Sequence, residues 1–276
     1  MAVVDSSGVH VRLSAMEVLE AARTMNLPDP RVWVAGDWHG NVGWVQRLLP
    51  ALGRIDRQIE TLLHVGDFWM STDTVDYWAK RTGIRRVLVT LGNHEPYGTY
   101  TPLLAAHPGC AVRVSEVVWL LPRPWQFEIM GRAVVSLGGA TSVDREWRQS
   151  GVDWWSDEEI TDHQVESALP MVADIMLCHE SPEGSPVLAA QRAMAANRPL
   201  LSESALTSSA KSRERVGRVW RTVRPNLLIH GHLHVSGRGL TSDSREVVAL
   251  SCDGMRGNIA LLDIASLSVQ IVDYPS

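Results

Sequence analysis

From residue 31 onward, short apolar runs alternate with stretches whose apolar residues recur every three or four positions. "RVWVAG" (31–36) precedes "VGWVQRLLPALGR" (42–54), "ETLLHVGDF" (60–68) precedes "TDTVDYWAKRTG" (72–83), and "RRVLVTLGNH" (85–94) follows. Short continuous apolar runs read as buried strands and the 3.6-period stretches as amphipathic helices. Their alternation predicts βαβ units and a parallel sheet. Over 111–140 the rhythm changes to closely spaced strand-like runs, "VRVSEVVWLL", "WQFEIMG" and "RAVVSLGGA", which predict antiparallel or mixed pairing. Residues 141–165 are polar and tryptophan-rich, a loop leading to a helix in "DEEITDHQVESAL", with Ser156 as candidate cap. The strand "ADIMLCHE" (173–180) comes next. Small residues over 182–215 predict helix, loop and helix, and four strands close the chain: "NLLIHGHLH", "REVVALSCDG", "GNIALLDI" and "LSVQIVDY". At the other end, "LSAMEVLEAARTMNL" (13–27) predicts a helix, with Ser14 and Glu17 at capping-box spacing and "PDP" (28–30) as its stop. No repeat or linker divides the pattern, so one α/β domain with two sheets over 1–276 is expected, with 1–30 as an N-terminal extension.

Composition narrows the function. The chain has 276 residues, 45% of them apolar, and a formal net charge of −5 without a basic tract. That argues against a non-specific grip on nucleic acid through many phosphates. Three separated cysteines, Cys110, Cys178 and Cys252, suit neither a disulfide framework nor a thiolate zinc site. No signal-peptide pattern and no apolar run of membrane-spanning length is visible, which leads us to expect a cytoplasmic protein.

Five of the predicted strands end in polar residues of the metal-ligand type: "GDWHG" (Asp37, His39), "GDF" (Asp67), "GNHE" (Asn93, His94), "CHE" (His179) and "GHLH" (His232, His234). Ligands of open α/β sheets gather outside the carboxyl ends of strands. The spacings from Asp37 to Asp67 and from Asp67 to Asn93 each suit one βαβ unit of roughly 30 residues, so the first three stretches should share one rim. Two carboxylates, an amide and four imidazoles are too many for one divalent ion. They suit two, with Asp67, on the middle strand, as bridge. Two dications against two aspartates and a bridging hydroxide leave net positive charge, fit for a phosphate. Paired metals about 3.5–4 Å apart clamp attacking and leaving oxygens in phosphoryl chemistry.

The ordered set "GDWHG…GDF…GNHE…H…GHLH" resembles the signature of the calcineurin-like metallophosphoesterases, within them the bacterial and phage phosphodiesterases acting on cyclic nucleotides. The resemblance implies a four-layer αββα sandwich of two mixed β-sheets flanked by helices. It implies that Asp37, His39, Asp67 and His234 hold one metal, and Asp67, Asn93, His179 and His232 a second. His94 would contact the phosphate and protonate the leaving oxygen while a metal-bridging hydroxide attacks in line. Imidazole and carboxylate without thiolate favour Mn, Fe, Zn or Co over Mg or Ca. The expected function is hydrolysis of small nucleotide-like phosphodiesters. A phosphomonoesterase or phosphoprotein phosphatase, a nuclease, and a non-catalytic interaction module on the same fold remain alternatives. The stretch "GDFWMSTD" lacks the acidic and basic residues that many members carry after "GD", leaving Asp73 as a substitute carboxylate, and Glu95 is a candidate to orient His94.

Several residues keep two readings. His230 is a supporting residue or a core histidine; His64 reads as core. Trp38 shapes the pocket mouth or packs. Trp154 and Trp155 stack a base or fill interior space. Arg145 and Arg148 approach a phosphate or form surface ion pairs.

Overall fold

The computed structural model describes residues 16–273, together with the backbone of Ala2–Val4 (β1) and His10–Arg12 (β2), which pair as an antiparallel hairpin. The remaining strands are β3 (Glu20–Ala22), β4 (Asn26–Leu27), β5 (Arg31–Ala35), β6 (Thr61–His64), β7 (Arg86–Val89), β8 (Ala111–Arg113), β9 (Val118–Leu120), β10 (Trp125–Ile129) and β11 (Arg132–Leu137). They continue with β12 (Ile175–Cys178), β13 (Leu227–His230), β14 (Gly237–Leu240), β15 (Glu246–Ala249), β16 (Ile259–Asp263) and β17 (Val269–Val272). The helices are α1 (Val42–Ile55), α2 (Thr72–Thr82), α3 (Tyr97–Ala106), α4 (Asp162–Ala168), α5 (Leu188–Asn197) and α6 (Glu203–Val223).

Two mixed sheets result, one ordered β17-β16-β5-β6-β7-β9-β8-β3 and the other β14-β15-β13-β12-β11-β10-β4. Alternation along β5 shows how they stack. Val32 and Val34 face the second sheet, meeting a layer that includes Leu63, Leu88, Ile175, Leu177, Ile229 and Val248. Trp33 and Ala35 face the other way, onto Leu48, Leu49 and Leu52 of α1 and Val75 and Ala79 of α2. Those helical positions recur every three or four residues, so each helix buries one stripe. The outer face of the second sheet carries Met176, Cys178, Leu228 and Val247 against Val165, Val216, Val219 and Trp220 of α4 and α6. Helices, sheet, sheet and helices are the four layers expected.

Two expectations at the level of elements are corrected. The helix over 13–27 does not form in its described part: Glu20–Ala22 pairs antiparallel with β8, Asn26–Leu27 pairs with β10, and Leu19 N–H donates to Arg113 O. Ser14 lies outside the described residues. Edge pairing and the Glu20–Arg113 contact at 3.0 Å outweigh the segment's helical propensity. Ser156 begins a single 3-10 turn instead of capping α4. The cap is Thr161, whose hydroxyl takes the Gln164 N–H while the Gln164 side chain returns to the Thr161 N–H, a capping box.

Strands β5, β6 and β7 are parallel neighbours, as are β11, β12, β13 and β15. Their carboxyl ends carry Asp37, Asp67, Asn93, His179 and His232 out of the two sheets.

Candidate metal centre

Asp37 and Asp67 sit at the floor, at 0% and 1% exposure, where water can no longer solvate a carboxylate. Burial of that kind requires charged or hydrogen-bonding partners. Asp67 has histidines on both oxygens: His39 Nε2 lies 3.5 Å from Oδ2 and His179 Nε2 3.2 Å from Oδ1. His94 N–H donates to the same Oδ1 at 2.8 Å, which seats His94 over the centre. The Asp37 carboxylate takes the His232 N–H and has His234 Nε2 at 3.3 Å from Oδ2. Ligand-type atoms of Asp37, His39 and His234 fall within 4.8 Å of one another, as do those of Asp37, Asp67 and His179. Asn93 Oδ1 faces His179 Nε2 at 2.9 Å, and its amide nitrogen donates to Ser142 Oγ, which fixes that orientation. The His232 ring stands outside both groups, 5.0 Å ring to ring from His179 and with Nε2 3.9 Å from Glu180. The structure thus brings six of the seven predicted ligand side chains into direct contact and places the seventh at the border.

The donor chemistry fits a cation. His179 Nδ1–H donates to Val65 O at 2.8 Å, so in a neutral ring Nε2 presents a lone pair. That lone pair faces two further acceptors, Asn93 Oδ1 and Asp67 Oδ1. Acceptors converge this way around a metal ion or a proton. Without metal, the proton takes the place. Burial disfavours a charged His179, but Asp67 and Asp37 override it and raise its pKa to about 9. Burial likewise opposes His39, and Asp253 and Asp67 lift it to about 11. Hydrogen bonds that the His234 ring donates to Asp37 and Cys252 bring it to about 10. His94 behaves differently: burial holds it below the ordinary imidazole range against the pull of Asp67.

Backbone shape is as specific as charge. A Cβ on Gly231 would stand 2.1 Å from Asp37 Oδ1, and one on Gly92 2.1 Å from Asp67 Oδ1. Only glycine lets the chain pass this close.

The residues with two readings are resolved. His230 is wholly buried, bonded at Nδ1 to Gly231 O and lowered by burial to about 4. His64 is equally buried and packs edge-on against Trp38, itself fully interior. Arg145 covers the Trp154 ring at 4.0 Å, and Trp155 lies on Gly98. Arg148 is internal, bonded to Ser142 and facing Glu158 at 3.4 Å. Asp73 is exposed in the first turn of α2. The Glu95 carboxylate does not reach the His94 ring; it accepts the N–H groups of Phe68, Trp69 and Gly92 at 3.0, 3.0 and 3.1 Å, tying the Asp67 loop to the Asn93 loop. Asp253 had no expected role, yet its Oδ1 lies 2.8 Å from His39 Nδ1. The signal was present, since "VVALSCDG" is a sixth apolar strand ending in a carboxylate, β15, parallel to β13.

The model of the calcineurin-like phosphoesterase family matches residues 30–236. The chain belongs to the calcineurin-like phosphoesterase family. That family is built on a divalent metal centre, and the aspartates and histidines above are this member's candidate ligands. Among solved structures, a dimetal phosphatase from Danio rerio superposes with a TM-score of 0.52 at 12% identity, covering 85% of this chain and 92% of that one. The protein TT1561 of Thermus thermophilus gives 0.50 at 12% identity, covering 89% and 99%. At such identity these likenesses speak for the fold alone. No curated protein matches the chain. Among the described residues, no helix is long and apolar enough to cross a membrane.

Proposed function

We propose that this calcineurin-like phosphoesterase is a two-metal phosphodiesterase acting on small nucleotide-like substrates, cyclic nucleotides among them. The observation that carries the reading is the convergence of ligand-type atoms from Asp37, His39, Asp67, Asn93, His179 and His234 beside a histidine, His94, that is not one of them. Asp37, His39, Asp67 and His234 would hold one ion, and Asp67, Asn93, His179 and His232 the other. Divalent transition ions there, of the Mn, Fe, Zn or Co type, supply Lewis acidity toward the phosphoryl oxygens and lower the pKa of water toward about 7.

The chain's own residues do the rest. Asp67 turns one oxygen toward His39 and the other toward His179, so it would serve both positions. His94, tethered by its N–H to Asp67, is held neutral by burial in the metal-free protein. An anionic phosphate beside it would favour its charged form, which would then give its proton to the ester oxygen as that P–O bond breaks and hydroxide, formed by loss of a proton from water to solvent, joins phosphorus. Such acid catalysis contributes typically about 10²–10⁴-fold. Support for a diester with an aromatic group comes from Trp69. Its half-buried indole lies nearly parallel to His94, 18° between planes and 6.4 Å between centroids. That indole would offer an apolar face to a leaving group that His94 protonates, as a nucleoside requires.

The test is a comparison of turnover on bis(p-nitrophenyl) phosphate and p-nitrophenyl phosphate with Mn²⁺, followed by cyclic and linear nucleotides. A higher kcat/KM on the diester supports the reading, and a clear preference for the monoester assigns the protein to the phosphatases instead.

A further inference from the structure

The match to the family ends at residue 236, yet part of the wall of the centre is built from residues 251–258. Asp253 N–H and Asn258 Nδ2 both donate to the Asp37 carbonyl, at 2.8 and 3.0 Å, saturating it. Ser251 Oγ donates to His234 O at 2.9 Å. The Asn258 side chain, 1% exposed, also bonds Ser251 O and takes the Trp44 indole N–H. Asp253 then reaches the His39 ring itself. Its Oδ1 stands 2.8 Å from His39 Nδ1, and its Oδ2 receives Asn41 Nδ2 at 2.5 Å. Asn41 is in turn the N-cap of α1, its own Oδ1 taking the Trp44 N–H at 2.9 Å.

We infer that Asp253 is the positioning residue of the first metal position, fixing the His39 imidazole so that Nε2 faces Asp67. An ionised carboxylate only accepts, so the hydrogen of the 2.8 Å contact sits on His39 Nδ1. Nε2 is thereby turned toward Asp67 Oδ2, 3.5 Å away, where it would present its lone pair to a bound ion. Asp253 is itself held from three sides: its N–H on the Asp37 carbonyl, Asn41 on Oδ2 and His39 on Oδ1. The ring therefore cannot rotate without breaking a hydrogen-bonded path that runs from the α1 cap through Asp253 to His39. Carboxylates that hold the far nitrogen of a ligating imidazole are worth about 10–100-fold in metal affinity. This role rests on the two-metal reading and adds a requirement to it: the loop after β15, outside the family match, is part of the site.

The experiment uses the full chain, stripped by chelation and titrated calorimetrically with Mn²⁺ alone, for wild type, Asp253→Ala, Asp253→Asn and Asp253→Glu. The expected result is about 10–100-fold weaker binding of one ion in Asp253→Ala, with the other ion less affected. Asp253→Asn should be intermediate, because one amide oxygen must serve both His39 and Asn41, and Asp253→Glu should recover part of the loss. The stripped Asp253→Asn protein should still unfold in one cooperative transition, at a lower temperature than wild type because the charged contact with His39 is lost, which shows that weaker Mn²⁺ binding is not a failure to fold. With Zn²⁺ bound, the downfield proton signal of His39 Nδ1–H should be present in wild type and absent in Asp253→Ala. Wild-type affinities in Asp253→Ala would overturn the role of Asp253 while leaving the metal reading intact. A wild-type chain that takes up no Mn²⁺ would overturn both.

Discussion

Replacing Glu95 tests whether the Asp67 and Asn93 loops are one mechanical unit. The side chain is 1% exposed and accepts three backbone N–H groups, those of Phe68, Trp69 and Gly92. Glu95→Ala leaves all three without a partner. A buried donor deprived of its acceptor costs about 1–3 kcal/mol, so the set amounts to about 3–9 kcal/mol, with the lower end applying where water enters the vacated space. One effect opposes this. Burial and the charge on Asp67 push the Glu95 carboxyl upward, so its ionised form is itself disfavoured in the fold. Glu95→Gln separates the two contributions. It removes the charge and keeps one oxygen for two of the amides, but turns an NH₂ toward the third. A loss of about 1 kcal/mol is expected for Gln and at least about 3 kcal/mol for Ala, set against a total of about 5–15 kcal/mol for a typical domain. Urea unfolding of the stripped proteins measures both, and Mn²⁺ titration of the folded Gln variant reads the effect on the Asp67 loop. If Glu95→Ala unfolds within about 1 kcal/mol of wild type, the carboxylate is not the tie between the loops.

Four further outcomes follow from the site. His94→Ala should lose about 10²–10⁴-fold in turnover on an alkyl diester while taking up Mn²⁺ normally, because His94 meets Asp67 only through its backbone N–H; unchanged turnover removes it as the acid. Gly231→Ala puts a Cβ 2.1 Å from Asp37 Oδ1 and should sharply weaken Mn²⁺ binding in a folded protein, judged by circular dichroism and calorimetry. Ion uptake at pH 7 should release protons from His179, His39 and His234, raised in the metal-free protein to about 9, 11 and 10, so affinity rises with pH; a pH-stat trace showing no release refutes it. The same raised values give the metal-free fold stability that is complete below the ordinary imidazole pKa of 6.5 and lost as pH climbs through about 9 to 11, a decline that melting curves should show and that bound ions should abolish.

The central strands were legible because burial on both faces leaves an unmistakable apolar run, and because each run ends where the chemistry begins. The edges were not. "EVLEAARTM" has the composition of a helix, and only the free margin of β8, some ninety residues on, makes Glu20–Ala22 a strand. The ligand set was legible by type and spacing, whereas its supports were not. Glu95 acts on backbone N–H groups, which carry no sequence signal. Asp253 ends an apolar strand, which marks it for the rim, but the ring it holds is more than two hundred residues away and nothing near it in the chain names that partner. Arg148 kept two readings in the sequence, a phosphate contact or a surface ion pair, and its partners Ser142, Asp153 and Glu158 are set only by folding.

The backbone at the centre explains why so much support is needed. Of the nine non-glycine residues with left-handed φ among the described residues, five are His39, Asp67, Trp69, His232 and His234. Each costs roughly 1–2 kcal/mol relative to the ordinary helical region, and glycine would relieve it. At His39, Asp67, His232 and His234 glycine would also delete a candidate ligand, so the strain stays. It persists because surrounding bonds over-determine each loop, as strained functional backbones require: Asp67 O accepts the N–H groups of Trp38 and His39, Glu95 holds Trp69, the Asp37 carboxylate takes the N–H of His232, and Ser251 holds the carbonyl of His234. These anchors lie at the ends of parallel strands in the interior of two sheets, where the Val32, Leu63, Ile175 and Ile229 layer is fully buried. A centre that stores strain and buried like charge needs that packing beneath it, and the stripped state should accordingly gain more from ion binding than a relaxed surface site would.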